Sequence, residues 1–194
     1  LFEKNRQNFK KRLSGNSIAI FQSNDEFPRS GDQTHSFKQN ADLFYLSGID
    51  QEETILFLFP DCPNPLYKEV LFLRQTNEHI AVWEGHKLTI QEAKNVSGID
   101  TIYWLDEFWN ILPSIISYAE SIYLNTNEND RYAHKVPYRD IRFIEKIKNL
   151  YPLHNYKRTA LIMRELRPVK SEIEIELTKK ACEITRDAFV RILK

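Results

Sequence analysis

The sequence predicts an α/β fold in which helices flank a mixed β-sheet, followed by the first helix of a second, truncated domain. Three observations support this fold class. Short apolar runs of strand length alternate with segments of helical periodicity, which is the pattern of α/β domains. Two of the runs, 54–59 and 69–73, are separated by a short loop containing Pro and Asn, which predicts an antiparallel pair. From Ser171 onward the spacing is helical and the segment lies apart from the sheet pattern.

The first part of the chain predicts a helix, a strand and a long loop. Residues 2–13 are charged and place their apolar side chains at helical spacing. Residues 17–21, Ser-Ile-Ala-Ile-Phe, have the composition of a buried strand. A polar stretch follows at 22–40, and a loop of that length in a compact domain is usually functional or part of an interface. The next segment, 42–46, ends at the Ser-Gly turn of 47–48, ahead of the antiparallel pair.

The middle of the chain alternates further helices and strands. Residues 89–96 predict a helix, with Thr89 as its N-cap and Glu92 completing a capping box. Residues 80–83, Ile-Ala-Val-Trp, look like a strand, and Asp106 is expected to cap the next helix. The remaining predicted elements are strands at 101–104 and 121–124, a helix at 139–149 and an edge strand at 153–156.

The tail has a different pattern. Its helical periodicity breaks near Pro168 and restarts with a capping box formed by Ser171 and Glu174. One face of the restarted helix is apolar, at Ile173, Leu177, Ala181, Ile184 and Ala188. Such a face needs a partner surface, so we expect the chain to stop inside a second domain. We therefore predict a first domain at 1–158, and at 159–194 a linker with the first helix of a truncated domain.

Composition excludes several classes of protein. Lys and Arg total 27, as do Asp and Glu, and this balance argues against a nucleic-acid partner. No apolar run approaches the roughly 18 residues that a membrane-spanning helix needs, so no membrane partner is expected. The two cysteines, Cys62 and Cys182, provide no disulfide framework, which favours a cytoplasmic location. The five glycines are scattered singly, so no phosphate-binding loop is predicted.

A complete catalytic or metal site is not evident in these residues. The histidines occupy scattered predicted loops and element ends, at His35, His79, His86, His134 and His154, and no His-Glu-x-x-His motif occurs. No Gly-x-Ser-x-Gly motif occurs, and Cys62 has no identifiable histidine partner. The acidic pairs at 25–26 and 52–53 are expected to lie on the solvated surface.

Three segments taken together nevertheless resemble the aminopeptidase P family, the Xaa-Pro aminopeptidases of the creatinase/prolidase group. The first combines Arg-Ser-Gly-Asp at 29–32 with Phe-Lys-Gln-Asn-Ala-Asp-Leu-Phe-Tyr-Leu-Ser-Gly at 37–48. The second is Trp-Glu-Gly-His-Lys-Leu at 83–88, and the third is Arg-Pro-Val-Lys-Ser at 167–171 with Glu174 after it. The resemblance covers essentially the whole chain.

The resemblance implies a metalloaminopeptidase whose catalytic machinery lies outside this sequence. In the family, a C-terminal "pita-bread" domain holds two divalent metals, usually manganese, through two Asp, one His and two Glu, and hydrolyses the bond between an N-terminal residue and proline. Those ligands would all lie beyond Lys194, so no catalytic or metal-binding residue is assigned here. The N-terminal domain shapes one wall of the substrate site and forms homo-oligomer contacts. Asp32 and Trp83 match residues that bind substrate, in related enzymes at the active site of a neighbouring subunit.

Two other hypotheses remain open at this stage. The chain could be the N-terminal domain of a related prolidase-like or creatinase-like hydrolase with another substrate. It could also be a stand-alone binding module that kept the fold without the catalytic half. If the chain belongs to an Xaa-Pro aminopeptidase, its expected partners are peptide substrates with Pro at the second position. A prolidase-like or creatinase-like hydrolase would act on another substrate.

Overall fold

The computed structural model describes residues 1–129 and 136–193. Within them the strands are β1 (Ser17–Gln22), β2 (Pro28–Ser30), β3 (Gln33–Thr34), β4 (Ile55–Leu58), β5 (Glu69–Leu73), β6 (Thr101–Trp104), β7 (Ser121–Leu124) and β8 (Asn155–Arg158). The α-helices are α1 (Phe2–Lys10), α2 (Ala41–Ser47), α3 (Glu78–Glu84), α4 (Ile90–Ser97), α5 (Phe108–Ile116), α6 (Arg139–Leu150), α7 (Ala160–Leu166) and α8 (Glu172–Ile192). Short 3₁₀ turns cover Pro65–Tyr67 and Leu105–Glu107.

Six strands form one mixed sheet in the order β6-β5-β4-β1-β7-β8. The predicted antiparallel pair is confirmed as β4 and β5, and β1 lies antiparallel to β4 on one side and parallel to β7 on the other. β8 pairs with β7 at the edge, so the predicted edge strand exists but begins two residues later than expected. Inside the polar stretch 22–40, β2 and β3 form a separate small hairpin.

Apolar side chains cover both faces of the sheet. Side chains of successive strand residues point to opposite faces, and β1 accordingly contributes Ala19 and Phe21 to one core cluster and Ile18 and Ile20 to the other. The first cluster contains buried residues of α1, α2, α4 and α7, and the second contains those of α5 and α6. The predicted mixed sheet flanked by helices is therefore confirmed.

Two predictions about local structure are wrong. Residues 80–83 are part of helix α3, which begins where the Asn77 side chain accepts a hydrogen bond from the Ile80 N–H at 2.9 Å. Val82 and Trp83 are 77% and 79% exposed, so their apolar character does not reflect a buried strand. Asp106 does not cap a helix, because it lies in the 3₁₀ turn ahead of α5, whose N-terminus has no side-chain cap.

The tail contains two helices with different environments. α7 buries Ile162, Met163 and Leu166 in the first core cluster, so this helix packs with the sheet. α8 begins with the predicted capping box, in which the Ser171 and Glu174 side chains each bond the other's backbone N–H. Its apolar stripe is open, since Ile173, Leu177 and Ile184 are 50%, 57% and 63% exposed. None of the helices in the described residues is long and apolar enough to cross a membrane.

Candidate functional site

The first of the three sequence segments fixes helix α2 and the turn after it. The Gln39 side-chain amide donates to the carbonyl oxygens of Ile49 and Gln51, at 3.1 and 2.8 Å. Asn40 Oδ1 accepts from two backbone N–H groups in the first turn of α2, at 3.0 and 3.3 Å. The helix ends at Gly48, whose φ of +73° is the left-handed conformation that glycine adopts without strain. These residues therefore have structural roles.

The second segment contacts residues that follow the first segment in the chain. The Leu88 N–H donates to Gln51 Oε1 at 2.8 Å, and Lys87 forms an ion pair with Glu52, which Arg74 also approaches at 3.4 Å. Glu52 is only 5% exposed, so the expectation of a solvated surface position is wrong for this residue. Burial acts to raise the pKa of the Glu52 carboxyl, but the hydrogen bond from Lys87 and the charges of Lys87 and Arg74 lower it below its ordinary value.

The third segment is held against the first by one ion pair. Arg167 Nη1 donates to Asp42 Oδ1 at 2.7 Å, at the N-terminal end of α2. Lys170 Nζ donates back to the Arg167 carbonyl at 2.6 Å, just before the capping box of α8. The third segment thus contacts α2 directly, and the second contacts the loop that follows α2.

The two predicted substrate-binding residues have no such internal role. Asp32 is exposed in the turn between β2 and β3, directly after Gly31, and Trp83 is 79% exposed on α3. No hydrogen bond, ion pair or ring contact joins either side chain to another of the described residues. Both side chains are therefore available to a ligand or another protein surface.

A crevice lies at the carboxyl ends of the parallel strands β1 and β7. The chain that leaves β1 leads to α2 on one face of the sheet, and the chain that leaves β7 leads to α6 on the other. Neighbouring connections that separate in this way leave a gap at the sheet edge, which is where open α/β sheets bind ligands. The gap, which we call the carboxyl-edge crevice, has a volume of about 450 Å³. Its polar lining includes Asp25, Asn40, Asp42, Asn125, Asp140 and Arg167.

Asp140, in the first turn of α6, is the most perturbed group in this crevice. It is 4% exposed, and among the described residues its carboxyl receives no hydrogen bond. Burial, and then the charge of Asp42, raise the pKa of Asp140 to about 8; the charge of Arg139 opposes this shift, and Asp25 adds a smaller effect that raises it. At neutral pH in the folded chain the carboxyl is therefore mostly protonated.

The basic groups around Asp140 are already engaged. Arg139 Nε donates to Gln22 Oε1 at 3.0 Å, and burial lowers the pKa of the Arg139 guanidinium. Arg142 Nη2 pairs with Asp25 Oδ1 at 2.6 Å, and the Arg139 backbone N–H donates to Asp25 Oδ2 at 2.8 Å. Sequence reasoning missed Asp140, because an acidic residue in the first turn of a helix is ordinary and nothing in the sequence indicates its burial.

The structure offers little for a metal ion. Within residues 1–129 and 136–193, no three His, Cys, Asp or Glu side chains lie close enough together to hold one. His79 lies in α3, whereas His86 follows that helix and contacts Glu92 at 3.2 Å. His134 lies outside the described residues. Cys62 is buried, and burial raises the pKa of its thiol, which disfavours the nucleophilic thiolate.

Comparison with known proteins identifies the relatives of this chain. Residues 2–123 match the family described as "Aminopeptidase P, N-terminal domain". The chain is 24% identical over 193 residues to the Xaa-Pro aminopeptidase of Haemophilus influenzae, with 100% of this chain and 42% of the relative covered. It is also 24% identical over 173 residues to human Xaa-Pro aminopeptidase 3, with 88% of this chain and 34% of the relative covered.

Solved structures show the same fold. A Bacillus anthracis protein described as an aminopeptidase P superimposes with a TM-score of 0.87 at 25% identity, covering 97% of this chain and 44% of that one. Zinc-substituted Escherichia coli aminopeptidase P with bound product gives a TM-score of 0.76 at 22% identity, covering 98% of this chain and 43% of that one. The chain thus spans well under half the length of these relatives.

Proposed function

Because this chain belongs to the aminopeptidase P N-terminal domain family, we propose that it is the non-catalytic N-terminal domain of an Xaa-Pro metalloaminopeptidase. The observation that carries the proposal is the family match over residues 2–123. The relatives named as Xaa-Pro aminopeptidases are more than twice as long as the part that this chain covers. In the proposal, that additional part holds two manganese ions and hydrolyses the bond between an N-terminal residue and proline in cytoplasmic peptides.

The described residues do not fit the two metal ions, so we assign no catalytic step to them. The groups that could ligate a metal do not converge anywhere in the described part of the chain. When bound, the two metal ions would supply a nucleophile for hydrolysis of the peptide bond, and none of the described residues is assigned to hold them. The contribution of this chain is to position the second domain, to support a homo-oligomer and to form part of the wall of the substrate site.

Asp32 and Trp83 are the residues that we assign to this wall. Most of the polar residues in the three sequence segments have partners within the fold, as shown for Gln39, Lys87 and Arg167. Asp32 and Trp83 have neither burial nor internal hydrogen bonds to explain them. In the proposal, both contact the substrate site of a neighbouring subunit, where a carboxylate can accept hydrogen bonds from a peptide and an indole can pack against proline.

The packing of the tail supports a later domain boundary than the periodicity alone suggested. α7 shares the core of the sheet, whereas the open apolar stripe of α8 does not. We propose that the first domain includes α7 and that residues 167–171 form the connection. The Asp42–Arg167 ion pair then holds the start of α8 against α2.

The proposal is tested by comparing this 194-residue chain with the full-length product of its gene. Both are assayed with Mn²⁺ on an Xaa-Pro-Xaa tripeptide, an Xaa-Pro dipeptide and creatine. We expect the full-length protein to release the first residue of the tripeptide and the 194-residue chain to do nothing. Turnover by the chain alone would contradict the non-catalytic role. Preference for the dipeptide or for creatine would instead favour the prolidase-like or creatinase-like alternative.

The roles of Asp32 and Trp83 are tested in the full-length protein. We expect Asp32→Asn and Trp83→Ala each to lower kcat/KM for the tripeptide at least about ten-fold, which corresponds to about 1.4 kcal/mol of transition-state stabilisation. Asp100→Asn and Val82→Ala are matched controls, because Asp100 is exposed and Val82 is as exposed as its neighbour Trp83. Equal activity in all four variants would remove Asp32 and Trp83 from the substrate site.

A further inference from the structure

The carboxyl-edge crevice has a feature that the packing of the fold does not require. The buried carboxyl of Asp140 lines it and receives no hydrogen bond from any described residue. A carboxyl group that is mostly buried and receives no hydrogen bond is costly to ionise, because it has lost most of its hydration. Such a group in a crevice at the switch point of a sheet is a candidate ligand contact.

The surroundings of Asp140 select the chemistry of that ligand. The neighbouring carboxylates of Asp25 and Asp42 are each paired with an arginine, but both still act on Asp140 as like charges. The three carboxyl groups would attract a cation when ionised, and the charge of Arg139 would oppose it. A divalent metal is disfavoured, since no three such side chains in residues 1–129 and 136–193 converge on one point. A group that donates directed hydrogen bonds to a single carboxylate fits better, and a primary ammonium has three such donors.

We propose that the carboxyl-edge crevice binds the primary ammonium group of a small ligand, with the Asp140 carboxylate as its principal acceptor. The crevice volume of about 450 Å³ lies within the range of small-molecule sites and admits an amine or a free amino acid. Arg167, at the border of the crevice, also has guanidinium N–H groups not used by Asp42 that can donate to the carboxylate of an amino acid. This inference concerns other residues than Asp32 and Trp83 and does not depend on the proposed function.

Binding of an ammonium group at Asp140 must be linked to proton release. The groups that act on Asp140 are Arg139 on its own helix, Asp42 on α2 and Asp25 after β1, while Arg167 also lines the crevice. Because the pKa of Asp140 is raised to about 8, the carboxyl loses its proton when the cation binds. Affinity should therefore increase about ten-fold for each unit by which the pH is raised toward about 8, and it should level off above about pH 8.

The experiment is an NMR titration of the ¹⁵N-labelled 194-residue chain at constant ionic strength. The probes are methylammonium, which is an ammonium group alone, and glycine, which adds a carboxylate. Tetramethylammonium provides the charge without N–H donors, and Mg²⁺ provides a metal. We expect methylammonium or glycine to change the chemical shifts of the amides around Asn125 and Asp140. The affinity obtained from these changes should be about ten-fold higher at pH 7 than at pH 6. Tighter binding of glycine would indicate an amino acid or peptide amino terminus, and tighter binding of methylammonium a simple amine.

The matched variants are Asp140→Asn and Asp100→Asn. Asn is nearly isosteric with Asp, so we expect Asp140→Asn to fold and to lose at least ten-fold in affinity, and Asp100→Asn to bind as the native chain does. The titration of the native chain tests the proposal even if a variant does not fold. Absence of crevice shifts with both ammonium probes, or equal shifts with tetramethylammonium or Mg²⁺, would overturn the proposal. Undiminished binding by a folded Asp140→Asn variant would overturn the role of Asp140.

Discussion

Replacing Asp140 by Asn should make the chain more stable, and by an amount that depends on pH. Asn has nearly the same shape but no proton to lose. In the native chain the pKa of Asp140 is raised from 3.8 to about 8, so between these values the folded state holds a proton that the unfolded state has released. Raising the pH through this window therefore destabilises the native chain relative to the variant, by about 1.4 kcal/mol for each unit. From pH 4 to pH 7 the relative gain reaches about 4 kcal/mol as an upper limit.

The assay is urea unfolding of the native chain and of Asp140→Asn at unit steps from pH 4 to pH 9. The free energy of unfolding of the variant minus that of the native chain should increase from pH 4 to about pH 8 and then become constant. Other titrating groups cancel in this difference. Asp100→Asn is the control, and because Asp100 is exposed its difference should be flat from pH 6 to pH 9. A flat or decreasing difference for Asp140→Asn between pH 5 and pH 8 would refute the assignment of a buried, protonated carboxyl.

Two further predictions concern the core. Arg6→Met should lower the free energy of unfolding in urea by about 3–5 kcal/mol, because the fully buried guanidinium pairs with Glu69 and donates to two backbone carbonyls that would lose their partner. Arg12→Met, at a solvent-exposed ion pair, should lower the free energy of unfolding by less than about 1 kcal/mol. Equal losses of stability in the two variants would show that burial of the Arg6 ion pair does not matter. Gly48→Ala should cost about 1–3 kcal/mol, since a Cβ there meets the Phe2 ring at 2.3 Å and φ is +73°. Gly31→Ala, with a positive φ but open space, should melt at a clearly higher temperature than Gly48→Ala.

Periodicity predicted most of the sheet and failed where apolar residues are exposed. The strand at 54–59 was identifiable because it is buried on both faces and reads as a continuous apolar run. Residues 80–83 have the same appearance, yet Val82 is 77% exposed and the segment is helical. Burial is a property of the folded chain, so composition alone could not separate the two cases. The one local signal for the helix was Asn77, a favoured N-cap residue.

The candidate sites were predicted to different extents for a physical reason. Asp32 and Trp83 are site predictions that rest on a resemblance, and the structure adds that both side chains are exposed. The carboxyl-edge crevice could not be predicted, because it forms where β1 and β7 become neighbours across a long stretch of sequence. The burial of Asp140 follows from that tertiary arrangement and from no local pattern.

The position of β1 between β4 and β7 has a consequence for how the chain folds as it is synthesised. β1 can pair with β4 early, but Ser17 lies opposite Ser121, so its second edge has no partner until β7 has been made. Closing so long a loop slows folding, and at about 5–20 residues per second the open apolar edge of β1 persists for about 5–20 s on the ribosome. During that interval the nascent chain carries an unpaired strand edge, the feature most prone to intermolecular pairing. Slower translation before β7 should therefore increase aggregation, whereas slower translation after α7 should not.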